Sequence, residues 1–174
     1  MIGLKRGTVK LKKHDPNWAK LFKKEKKLLL GKFPNVILEI SHGGSTTIPT
    51  IPAKPIIDMF AVVLSLKKAK AIKNKLEKLG YEYRGADGVK ERILYVKGEP
   101  ELRTHHLQLV EKKSDEWKNH ILIKNYFLKH PEVAKRYAKL KAKLAEKYPN
   151  SRKSYSHGKD AFIKSIIQKA KKEK

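Results

Sequence analysis

Residues 55–64, Pro-Ile-Ile-Asp-Met-Phe-Ala-Val-Val-Leu, form a continuous apolar run broken by one charge, Asp58. Such a run, without polar alternation, reads as a strand buried on both faces and therefore central in its sheet. A carboxylate inside it costs several kcal/mol unless a cation, a metal or a proton compensates it. Asp58 is therefore the first candidate functional residue.

The segments around this strand set the fold class. Thr8–Lys13 alternates, with Val9 and Leu11 to one side, and reads as a short edge strand. Asp15 and Pro16 signal a helix start, followed by Trp18, Leu21, Phe22, Leu28 and Leu29 and a stop near Gly31 and Pro34. Val36–Ile40 reads as a strand, and residues 41–54, small and hydroxylated with prolines at 49 and 52, as a structured turn. Beyond the apolar strand, residues 66–79 read as a helix ending at Gly80. Tyr81–Arg84, Arg92–Lys97 and Leu102–Glu111 read as strands. From Asp115 onward the periodicity is helical: one helix capped by Asp115, a second from Pro131 to Pro149, and a last over about residues 156–171. Mixed sheet first and helices second define an α+β class, with an α/β core over 1–112 and C-terminal helices over 113–174 packed on it.

Charge narrows the partners. Of 174 residues, 42 are Lys or Arg against 17 Asp or Glu, a net charge of +25. The excess is lysine: 36 lysines stand beside six arginines, at 6, 84, 92, 103, 136 and 152. Lysine is a point charge on a flexible stem, whereas arginine reads phosphates and bases with a planar fork. The composition thus gives a general positive field suited to nucleotides, RNA or anionic lipid, or a surface that serves solubility. No run reaches the roughly 18 apolar residues of a membrane span. With no cysteine and no signal-peptide pattern at the N-terminus, a cytoplasmic location is expected.

The sharpest constellation is Gly44-Ser45, a twelve-residue gap, then Asp58. A turn of small residues, Gly44, Ser45 and Thr46, can wrap a phosphate with its N–H groups. A carboxylate on the next strand can hold Mg²⁺ or Mn²⁺ between phosphates. Alternation puts His106 and Gln108 on one strand face and His105 on the other. His106 is thus either a partner of Asp58 at a metal or one of a hydrogen-bonded core pair. Lys54 is a phosphate contact or a solvated loop lysine. Arg92 and Arg103 sit on strands where phosphate pairing is plausible. Tyr155 and Lys159, at i and i+4, share a helix face and either close a pocket or pack beside Phe162.

These residues carry a resemblance. His42-Gly43-Gly44-Ser45-Thr46-Thr47-Ile48-Pro49, followed by Ala53-Lys54-Pro55-Ile56-Ile57-Asp58, resembles the signature of the GrpB-like proteins, a branch of the polymerase-β-type nucleotidyltransferase superfamily. Ordered blocks extend the likeness along the chain: His14-Asp15-Pro16-x-Trp18, Arg103-Thr104-His105-His106-Leu107, Asn125 to Glu132, and Tyr155-x-x-x-Lys159-x-x-Phe162. The resemblance implies a nucleotidyltransferase-like sheet flanked by helices. It also implies metal-dependent nucleotidyl transfer from an NTP to an acceptor, with Asp58 and His106 as catalytic and metal-binding residues. Phosphates would then lie on Gly44, Ser45, Thr46, Lys54, Arg92, Arg103, Tyr155 and Lys159. The chain departs from the superfamily pattern at Phe60, where a second acid would stand. Two carboxylates on one strand face are what a two-metal transfer uses. The alternative is a binding module for nucleotide or RNA that keeps the fold without the chemistry.

Overall fold

The computed structural model describes residues 2–173. Five strands form one mixed sheet: β1 (Ile37–Gly43), β2 (Ile57–Val63), β3 (Tyr81–Gly85), β4 (Arg92–Lys97) and β5 (His105–Glu111), in the order β1-β2-β5-β4-β3. β2 lies between β1, antiparallel, and β5, parallel, so the apolar run is interior to the sheet. β4 joins β5 antiparallel, and β3 closes the far edge.

Period-two alternation gives the two faces different work. Ile57, Met59, Ala61 and Val63 of β2 point to one side with Ile93 and Tyr95 of β4 and Leu107 and Leu109 of β5. Against this face pack α1 (Asn17–Lys32), through Trp18 and Leu29, and the segment holding α2 (Leu66–Ala69) and α3 (Lys73–Lys78), through Ala69, Ile72 and Leu76. Glu25 of α1 is buried under this layer, where it accepts hydrogen bonds from Tyr81 Oη at 2.8 Å and Lys97 Nζ at 2.6 Å.

The other face carries Asp58, Phe60, His106 and Gln108. It is covered over β2 and β5 by α4 (Asp115–Lys129), on which α5 (Pro131–Lys147) and α7 (Asp160–Lys172) pack, with the short α6 (Arg152–His157) beside α5. Tyr126, Phe127, Val133, Tyr137 and Ile166 join Ile48 and Ile51 in a second core between these helices and the 41–54 segment.

Several boundaries differ from expectation. Residues 8–13 form no strand; Lys12 makes only an isolated bridge to Ala53. β1 continues through Ser41, His42 and Gly43, because their backbone pairs with Phe60, Met59 and Asp58, and the turning starts only after it, with a 3₁₀ turn at 45–47 and a further turn at 49–50. The 66–79 helix is broken by a 3₁₀ turn at Lys70–Ile72. Ser114, not Asp115, caps α4: its side chain accepts from Trp117 N–H, and Asp115 lies in the first turn. The last expected helix is two, α6 and α7, parted at Gly158, where a Cβ would strike Leu144.

Candidate anion-binding cleft

β2 and β5 run in register, with Asp58 beside His106. His106 Nδ1 lies 2.8 Å from Asp58 Oδ1. Gly43, the last residue of β1, pairs across from Asp58. Gly44 then turns with φ +66°, and a Cβ there would overlap the Asp58 carboxylate. Only glycine lets this backbone cross so close to a charged side chain. Thr46 is buried, with its Oγ1 2.9 Å from His42 Nε2, so it shapes the turn.

Asp58 sits at the junction of two lobes. The cationic lobe is a cavity of about 220 Å³ bounded by Gly44, Ser45 and Thr46, by Asp58 and His106, and by Lys54, Lys141, Arg152, Tyr155 and Lys159. The apolar lobe, about 240 Å³, lies over Phe60, His120, Ile123, Phe127 and Ile163 and shares Gly44, Ser45, Asp58 and Tyr137 with the first. Phe60 and His120 stack with ring centroids 4.0 Å apart.

Burial and mutual repulsion depress the lysines that line the cleft. Burial, then the charges of Arg152 and Lys159, pushes Lys54 down to about 7. Burial, then Lys159 and Lys54, does the same to Lys141. Lys159 is lowered by burial as well. Aromatic faces hold these cations in place of carboxylates: Lys159 Nζ and Lys54 Nζ lie 4.5 and 5.3 Å from the Tyr155 ring, and Lys141 Nζ 5.1 Å from Tyr137. Burial opposes the charge on Asp58, but the His106 hydrogen bond with the charges of Lys54 and Arg152 prevails and holds its carboxyl well below the usual carboxylate range. His106 is lowered, chiefly by burial, with the Asp58 hydrogen bond and charge opposing. His42 and His120 are both pushed down to about 4 by burial and are neutral.

The donor set does not suit a divalent cation. Among the described residues no three His, Cys, Asp or Glu side chains converge. His106 Nδ1 is committed to Asp58, and its Nε2 is buried with no partner. Phe60 occupies the place of a second acid, and Lys54, Lys141, Arg152 and Lys159 would repel a metal ion.

Arg92 and Arg103, expected at the phosphates, stand apart from this cleft. Arg92 Nη1 donates to Gln108 Oε1 at 2.7 Å, and Arg103 pairs with Glu82 and the Gly98 carbonyl. Both line a separate groove. The sequence reading missed Lys141 and Arg152. Lys141 had a signal: it follows Tyr137 by four residues, in the apolar stripe of α5, where a lysine is out of place. Arg152 carried none beyond its residue type.

A mixed five-stranded sheet with Asp58 under the Gly44 turn, covered by the C-terminal helices, defines an α+β protein with a cation-lined cleft. The chain belongs to the GrpB protein family, whose profile matches residues 8–169. It is 39% identical over 171 residues to the glutamate-rich protein GrpB of Alkalihalophilus pseudofirmus, covering 96% of this chain and 98% of that protein. It is 37% identical over 159 residues to the UPF0157 protein YqkA of Bacillus subtilis, covering 91% of this chain and 46% of YqkA, so it spans about half of that longer relative. The crystal structure of GrpB from Enterococcus faecalis superposes with a TM-score of 0.87 at 34% identity, over 94% of this chain and 98% of that one. A weak likeness in fold, TM-score 0.47 at 14% identity, extends to half of the Cid1 poly(U) polymerase, covering 85% of this chain and 50% of that one. No helix among the described residues is long and apolar enough to cross a membrane.

Proposed function

We propose that the chain binds a nucleotide-type phosphoester in the two-lobed cleft, as a binding module on a nucleotidyltransferase-like fold. One observation carries the reading: four cations from separate segments, Lys54, Lys141, Arg152 and Lys159, surround a small cavity that holds a single carboxylate. Lys141 is buried and Lys54, Arg152 and Lys159 are half-buried, and a single carboxylate, Asp58, leaves most of this charge uncompensated, which favours an anion joining them. Phosphate suits that role, and the adjoining lobe over Phe60, His120 and Phe127 offers apolar and aromatic surface to a base. Asp58, 32% exposed at the junction, accepts from His106 and separates the lobes. It would meet a ribose hydroxyl or amine better than a phosphate, which it repels.

Metal-dependent nucleotidyl transfer is the less supported reading, because Phe60 replaces the second acid and cations line the cavity. Thermal shift separates the two. ATP should raise the melting temperature more than inorganic phosphate does, adenosine alone should do little, and Mn²⁺ should add nothing. Lys54→Met should remove the ATP shift. A shift that requires Mn²⁺, or no shift with any nucleotide, would overturn the binding-module reading.

A further inference from the structure

Beside the cleft lies a larger groove, about 820 Å³, that the nucleotide reading does not use. Its floor is Leu94 and Val96 of β4, on the sheet face that carries His106 and Gln108. α4 packs on this face over β2 and β5, while over β4 Arg152, Lys153, Ser156 and His157 of α6 form the facing wall of the groove. Arg84, Arg92 and Arg103 rise from the strand side, Arg6 from the N-terminal segment and Arg152 from α6.

The arginines are not spread as the lysines are. Five of the chain's six arginines line this one groove, together with only one of its 36 lysines, Lys153. A field that served solubility would draw on lysine here as it does elsewhere. Three of the arginines are fixed by structural partners: Arg84 and Arg103 by Glu82, and Arg92 by Gln108 and the Ala86 carbonyl. Arg6 and Arg152 side chains make no hydrogen bond or ion pair among the described residues. Asp87 and Asp160 are the only acids on the lining. The groove joins the cationic lobe at Arg152 and Ser156, which line both.

We infer that this groove binds the backbone of a single-stranded nucleic acid, with phosphates on the free forks of Arg6 and Arg152, Arg84 and Arg103 adding positive charge beside their Glu82 partner, and one strand end directed toward the Asp58 cleft. Guanidinium forks match phosphate oxygens two at a time. The fork matches carboxylates too, so the choice of a nucleic acid over an acidic peptide rests on the apolar floor beneath the arginines. The recess is concave with an apolar floor, which a flexible strand enters with its sugars and bases, whereas a duplex presents only its outer phosphates. The assignment rests on residues outside the nucleotide cleft except for Arg152, so each can fail without the other.

The test is fluorescence anisotropy with a labelled single-stranded oligoribonucleotide over a salt series. Arg6→Gln combined with Arg84→Gln should weaken binding about tenfold or more at low salt and lower the salt slope by about one per arginine that contacts a phosphate. Lys67→Gln with Lys68→Gln, exposed on α2 across the sheet, should change it far less. Arg6→Lys with Arg84→Lys keeps the charge and should still lose affinity, since it loses the fork. All variants should keep the wild-type melting temperature and the ATP shift. Equal loss in the Lys67/Lys68 control, full affinity in the lysine replacements, competition by polyglutamate as strong as by unlabelled RNA, or no RNA binding at low salt would each overturn the assignment. RNA binding that persists while no nucleotide shifts the wild-type melting temperature would sink the cleft reading and leave the groove standing.

Discussion

Lys141 offers a quantitative test of the anion site. It is 2% exposed, its Nζ donates to the Pro52 carbonyl at 2.6 Å, and burial followed by the charges of Lys159 and Lys54 brings it from 10.5 to about 7. Between those two values the unfolded chain holds a proton that the folded chain has lost, so stability rises with pH. Each pKa unit is worth about 1.4 kcal/mol, so burying this lysine costs on the order of 4 kcal/mol near pH 7. Integrating from about pH 7 to about pH 9 returns roughly 2 kcal/mol of it. Lys141→Met keeps the length of the side chain, removes the charge and leaves the Pro52 carbonyl without its donor, a loss of about 1–3 kcal/mol. The variant should therefore be more stable than wild type near pH 7 by about 1–3 kcal/mol in phosphate-free buffer, and its gain in stability toward pH 9 should shrink by about 2 kcal/mol. Urea unfolding followed by tryptophan fluorescence reads both quantities. Saturating ATP should stabilise wild type more near pH 7 than near pH 9, because the bound anion restores the proton, and should barely stabilise the variant. A Lys141→Met protein with the wild-type pH rise and the full ATP shift would refute the reasoning and make Lys141 a scaffold residue.

Gly44→Ala should lower stability by about 2 kcal/mol, from the left-handed backbone plus the overlap with Asp58, while Gly80→Ala, at φ +84° in open space, loses only about 1 kcal/mol; thermal melts of the pair isolate the Asp58 contact. Asp58→Asn leaves Lys54 and Arg152 without their carboxylate and should cost about 1–2 kcal/mol, a figure discounted for the 32% exposure of the side chain, while tightening phosphate binding by calorimetry. Because the Asp58 carboxyl is depressed, its contribution is present above the ordinary carboxylate range and fades as pH falls through its folded value, so an acid titration of wild type against variant should converge only well below pH 4. Glu25→Gln should cost about 1–3 kcal/mol at neutral pH by urea unfolding: burial opposes the Glu25 charge, but the Lys97 and Tyr81 hydrogen bonds outweigh it and hold the carboxyl below its usual value.

The positions of Asp58 and His106 were legible for a local reason. A carboxylate in an apolar strand stands out against its neighbours, and alternation assigns His106 and Gln108 to one face without knowledge of any partner. Helix periodicity likewise located α1, α4 and α5 to within a few residues. Ser41–Gly43 was misread because residue type alone cannot show that a small, glycine-bearing segment pairs with a strand; its hydrogen bonds go to β2, fifteen or more residues away. The need for glycine at 158 is equally distant in origin, since Leu144 of α5 leaves no room there for a Cβ.

Face, period and the cost of a lone buried charge are properties of a short stretch of chain, and the sequence alone determined them: an α+β fold, a central β2, and Asp58 as its exception. Which faces meet is a property of long-range packing. Lys54 lies on a loop, Lys141 on α5, and Arg152 and Lys159 at the starts of α6 and α7; the sequence singles out Lys54 and Lys159, and the apolar stripe of α5 marks Lys141, but nothing local brings the four together or marks Arg152 among 42 basic residues. Only when α5, α6 and α7 settle against the 41–58 segment do these four cations line one cavity, and burial then lowers Lys54, Lys141 and Lys159 together.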